Sequence, residues 1–89
     1  METSDVERKV IELLRHEPTG MLRSDIAFRV GTEHNAILTK VLFDLIDKGV
    51  VVCLPQFAKD EHGVTLKSWY MRGKNWDTYI EEMLCERFV

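Results

Sequence analysis

Apolar residues in the middle of the chain fall at Ile37, Leu38, Val41, Leu42, Leu45 and Ile46, one wide stripe at helical spacing. The pattern predicts a helix between Thr32, whose hydroxyl suits an N-cap, and Gly49, placed just past Lys48 where a left-handed C-cap residue belongs. Its opposite face carries Glu33, Ala36, Thr39, Lys40, Phe43 and Asp47. Before it, Val6, Val10, Leu13 and Leu14 recur at helical intervals over Ser4 to His16, with Ser4 and Glu7 at capping-box spacing. Glu17-Pro18-Thr19-Gly20 breaks that helix, and Met21-Leu22-Arg23 is long enough for one strand-like pairing. Ser24 is placed to cap a short second helix over Asp25 to Val30, and Gly31-Thr32 gives the tight glycine turn of a helix-turn-helix.

After Gly49 the period changes. Val50 to Leu54 is β-branched and apolar, which predicts a strand, with Pro55 pushing its far end to a sheet edge. Lys59 to Gly63 is a polar turn and Val64 to Met71 the returning strand, so a hairpin with a long, mobile tip is expected. Arg72-Gly73-Lys74 is a short basic hinge. Asn75 then caps a fourth helix from Trp76 to about Arg87, striped by Trp76, Tyr79, Ile80, Met83 and Leu84, with Phe88 continuing the stripe.

The order helix, short strand, helix-turn-helix, hairpin resembles the winged-helix domain over about residues 4–72. The tract from Lys40 to Val51 looks like a recognition helix feeding a first wing strand. The fold expected is therefore α+β: a three-helix core with a two-stranded wing over residues 1–74, plus a C-terminal helix over 75–89 for packing or dimerisation. The resemblance implies DNA binding and transcriptional regulation, with the third helix in the major groove and the wing on phosphate. Carried onto this chain it points to Asn35, Ala36, Thr39, Lys40 and Phe43 on the helix and to Lys59, Lys67 and Arg72 on the wing. A narrower resemblance is to the Z-alpha domains that bind left-handed nucleic acid, through Leu42-Phe43 and Trp69. There Thr39 stands for that family's asparagine, Phe43 for its tyrosine, and Lys67-Ser68 for its proline pair. A third is to winged-helix subunits of transcription machinery, where the fold often grips protein.

Charge tempers the DNA expectation. The net charge is −3, which argues against a strongly electrostatic nucleic-acid binder. The excess belongs to residues 75–89; residues 1–74 are balanced, and the wing, with Lys59, Lys67, Arg72 and Lys74 against Asp60 and Glu61, is the one local basic excess. Glu33, Asp44 and Asp47 flank the third helix and would repel phosphate. Lys40 either meets a phosphate or base, or pairs with Asp44 one turn on. Phe43, off the buried stripe, should touch the wing or a partner, while Trp69 is expected to pack wing against core. The alternative to a DNA reader is thus a protein-interaction module, and the aromatic stripe of 75–89 suits a homodimer.

Other chemistries lack their residues. His16, His34 and His62 lie on separate elements and read as exposed, and neither cysteine has a neighbour at metal-ligand spacing. No nucleophile elbow or phosphate-binding glycine loop occurs. No enzyme activity, metal or cofactor is expected. Cys53 and Cys85 read as buried free thiols, with a disulfide left open. A polar N-terminus and no long apolar run suggest neither signal peptide nor membrane span, hence an intracellular protein.

Overall fold

The computed structural model describes residues 3–88, with side chains described through Met83. Four helices, α1 (Thr3–His16), α2 (Arg23–Val30), α3 (Asn35–Asp47) and α4 (Trp76–Phe88), surround a sheet of β1 (Met21–Leu22), β2 (Val51–Asp60) and β3 (Gly63–Arg72). The sheet is antiparallel, in the order β1-β3-β2. This is the expected α+β topology of a winged helix, with the short link before α2 added to the wing as a third strand.

The core follows the stripes. Val6, Val10, Ile11 and Leu14 of α1 meet Ile26 and Val30 of α2 and Leu38, Val41, Leu42 and Leu45 of α3. Val50, Val51 and Tyr70 close it from the hairpin root and Trp76 from α4. Ile37 and Ile46 are only partly buried at the margins of the α3 stripe. Tyr79, Ile80 and Met83 also pack on this core. The stripe expected to dimerise therefore packs on the chain's own core as far as Met83, with Tyr79, Ile80 and Met83 left half-buried. Leu84, Cys85 and Phe88 have side chains outside the described residues.

Several boundaries differ from expectation. Thr32 does not cap α3. It opens a single 3-10 turn, Thr32–His34, and α3 begins at Asn35 without a side-chain cap. Ser24 lies inside α2, which starts one residue earlier at Arg23 after the extended Leu22. Gly49 does adopt the left-handed conformation, at φ 74°, and its N–H bonds to Ile46 O at 3.0 Å. Asn75 stands directly before α4, its carbonyl accepting Tyr79 N–H at 3.0 Å, and its Nδ2 donates to Lys48 O at 2.9 Å, tying the end of α3 to the start of α4.

The hairpin is the largest departure. Its strands pair without a break from Val51↔Arg72 to Asp60↔Gly63. The expected long tip is a two-residue turn, Glu61-His62, in which Asp60 Oδ1 accepts His62 N–H at 2.8 Å and Gly63 takes φ 111°. Pro55 sits within β2 and ends nothing, because β2 is the outer strand and a missing N–H at a free edge breaks no ladder bond. The chain measures 53 × 28 × 22 Å along its principal axes, consistent with the hairpin standing out from the body as an arm.

Candidate nucleic-acid interface

The outward side of α3 divides into two halves. Asn35 and Thr39, one turn apart, lie on the half nearer the wing. Arg23, at the start of α2, organises both: its Nη2 donates to Asn35 Oδ1 at 3.0 Å and to Thr39 Oγ1 at 2.7 Å. Thr39 Oγ1 in turn donates to Asn35 O at 3.0 Å. With its carbonyl oxygen turned to a guanidinium, Asn35 presents its amide NH2 outward as a pure donor. The other guanidinium nitrogen of Arg23, Nη1, is buried without a hydrogen-bond partner.

Arg23, Ser24 and Asn35 face Lys67 and Ser68 of β3 across a cleft of about 470 Å³. No carboxylate lines it. Behind it Tyr70 is buried beside Cys53 and Ser68. Burial first, and the hydrogen bond with Cys53 second, push its phenol above the ordinary value of 10.0.

The other half of α3 has a different character. Lys40 and Phe43 open onto a hollow shared with Thr3 and Glu7 of α1 and with Asp44 and Asp47. Phe43 is 67% exposed and stands beside α1, not against the wing. Lys40 does not pair with Asp44, whose carboxylate binds Lys48 Nζ at 3.0 Å and raises the pKa of that lysine. Lys40 makes no ion pair among the described residues. The third-helix candidates are thus outward-facing, as expected, but split between a cationic cleft and a partly acidic hollow.

The wing candidates also divide. Lys67 joins the cleft. Lys59 stands near the arm tip, opposite Val64. Arg72 is used within the chain: Nε donates to Leu14 O at 3.0 Å, Nη2 donates to Arg15 O, and the guanidinium lies 5.3 Å from the Trp76 ring centroid. It satisfies carbonyls left over at the C-terminus of α1, where a cation is also favoured by the helix dipole. Trp69, expected to pack wing against core, lies instead on the opposite face of the sheet, half-buried, where its Nε1 donates to Thr19 O at 2.9 Å and ties the wing to the turn after α1.

Two of the remaining expectations are corrected. Cys53 is an exposed free thiol, not a buried one: it stands on the outer strand β2, opposite the buried Tyr70 of the central strand. His16 and His62 are exposed as expected, whereas the His34 side chain is largely covered, at 20% exposure. Among the described residues no three His, Cys, Asp or Glu side chains are grouped to hold a metal ion, and no helix is long and apolar enough to cross a membrane. Sequence reasoning missed Arg23. Its one visible signal was position, directly after an apolar pair that must join the sheet, so that the next side chain turns toward α3. No family model, no curated protein and no solved structure matches the chain.

Proposed function

We propose that this chain binds double-stranded DNA as a winged-helix transcription regulator. In this reading residues 1–74 form the binding unit, and α4 braces it. Asn35 and Thr39 read base edges in the major groove, Lys40 meets a base or the flanking phosphate, and Phe43 packs on a thymine methyl or the sugar edge. Lys67 and Lys59 follow the backbone. Arg72, spent on α1, holds the wing root and contributes indirectly.

The observation that carries the proposal is the Arg23–Asn35–Thr39 bridge beside Lys67. It fixes two polar side chains of α3 in one orientation and supplies outward donors beside a cleft that no carboxylate lines. Side chains held in advance lose less freedom on binding. Affinity should be modest and salt-sensitive, because few lysines can release counterions.

The test is retention on duplex DNA across a salt series, with Lys40→Ala as the probe. Loss of about 1–3 kcal/mol on preferred sequences is expected if Lys40 reads a base, and a salt slope smaller by about one if it meets phosphate. Unchanged affinity and slope would remove α3 from the interface. A second reading, a protein-interaction module, is favoured by one specific observation: the apolar face of the wing arm.

A further inference from the structure

Two of the large apolar side chains outside the core lie in mixed surroundings. Phe28 shares a hollow with Met21, Trp69, Glu17, Asp25 and Arg29, and Phe43 one with Glu7, Lys40 and Asp44. Single exposed aromatics of this kind are ordinary. The wing arm is different. Its register sets Phe57 directly opposite Leu66, and Lys59 opposite Val64. Opposed residues in an antiparallel pair project to one side, and alternate residues share it. Pro55, Phe57, Val64 and Leu66 therefore form one surface, continuous with Val51 and Tyr70, which face the core at the root.

Phe57 is 77% exposed, Val64 67% and Leu66 61%. The reverse side carries Gln56, Ala58, Asp60, Thr65 and Lys67 along the outer arm, with Leu54 and Val52 less exposed nearer the root. This is the amphipathic pattern of a sheet built to be covered on one side, yet none of the described residues covers it. β1 reaches only Trp69, so the arm beyond is a bare two-stranded ribbon, an arrangement of marginal stability in water.

We infer that a second copy of this chain covers the face, the two arms stacking face to face about a two-fold axis. The area fits. The three large side chains expose roughly 400 Å² per copy, the size at which a patch on a monomer is usually functional. With Pro55, Cys53 and the Lys59 stem, two copies bury about 1,000 Å², the threshold for a specific interface. Two-fold symmetry makes such a patch its own complement. The face and not the strand edge is used, because Pro55 removes a donor from the middle of the free β2 edge. With the arms antiparallel, Lys59, the only charged residue on this face from Cys53 to Ser68, lies at opposite ends of the pair and meets no like charge. The α4 stripe packs on the core as far as Met83 and is half-buried there, whereas the arm face is open. The pairing holds whether or not α3 binds DNA.

Sedimentation velocity of the full chain over a concentration series tests this. A monomer–dimer equilibrium is expected. Phe57→Ser with Leu66→Ser should raise the dissociation constant roughly 30-fold or more, as for paired hot-spot residues. Circular dichroism should be unchanged, since both side chains are exposed in the monomer. Gln56→Ser with Thr65→Ser, on the reverse side, should leave the equilibrium as it is. In a sample mixing labelled and unlabelled chains, Leu66 methyls should show nuclear Overhauser contacts to the Phe57 ring of the other copy. A chain that stays monomeric throughout, a dimer indifferent to the Phe57 and Leu66 changes, or one broken instead by Phe43→Ser would overturn the inference.

Discussion

The root and the arm of the wing are one continuous ladder with one alternation, and they end in opposite surroundings. At the root the inward positions Val51 and Tyr70 meet α1, α2 and α3 and disappear from solvent. Four pairs beyond Tyr70 the same parity brings Phe57 and Leu66 to a surface that no described element reaches. Strand pairing can propagate a pattern indefinitely, but burial extends only as far as the helices do. The root is therefore a matter of stability and the arm a matter of partners.

The sharpest way to break this contrast is to remove one large side chain from each end. Tyr70→Ala should cost about 3 kcal/mol of unfolding free energy, through lost packing and a cavity against the helices. Leu66→Ala, measured in dilute solution where the chain is monomeric, should change it by no more than about 0.5 kcal/mol. Urea unfolding of both variants measures the pair. Comparable losses would mean that the arm folds against the body and that the division into root and arm is wrong.

A second, smaller effect separates the two arginines at the ends of the sheet. Both border the strands, and sequence reasoning assigned phosphate contact to Arg72 while passing over Arg23. Arg72 instead holds the last carbonyls of α1, and Arg23 holds the side chains of α3. Arg72→Met should therefore lower stability by about 1.5–3 kcal/mol, the range for hydrogen bonds from a charged group. It should leave the salt slope of DNA binding where it was. A reduced slope with unchanged stability would return Arg72 to the phosphate backbone.

These two arginines show what could be read from the sequence and what could not. Periodicity located all four helices, both long strands and nearly every core residue, because burial is written into the spacing of Leu38, Val41, Leu42 and Leu45. It also placed Lys40 and Phe43 outward for the same reason. Capping was read less well: Thr32 and Ser24 have the right chemistry, but the 3-10 turn and the early start of α2 supply the backbone bonds without them. The destination of a long flexible cation depends on which carbonyls lie within reach in three dimensions, and no spacing rule encodes that. The arm was half legible. Val64 and Leu66 fall on the expected returning strand, but Phe57 lies past the expected end of the first strand at Leu54, and the tight turn at Glu61-His62 that brings them into register depends on Asp60 and on the left-handed Gly63, which the polar run from Lys59 to Gly63 hid as a long loop.

The smallest effect is a dependence on pH that belongs to the root alone. Burial, then the hydrogen bond with Cys53, raises the Tyr70 phenol above its ordinary 10.0. The folded state thus favours the neutral form. The stability this contributes is fully present below pH 10 and is lost as pH rises through the higher folded-state value, because only the unfolded chain ionises freely there. The stability difference between the native chain and Tyr70→Phe should be constant through neutral pH and drift against the native chain in strong alkali. Phe57→Tyr supplies the counterpart at the arm. In the monomer an exposed phenol titrates alike folded and unfolded, so that variant should track the native chain at every pH. A drift in the second and none in the first would exchange the buried and open ends of the hairpin.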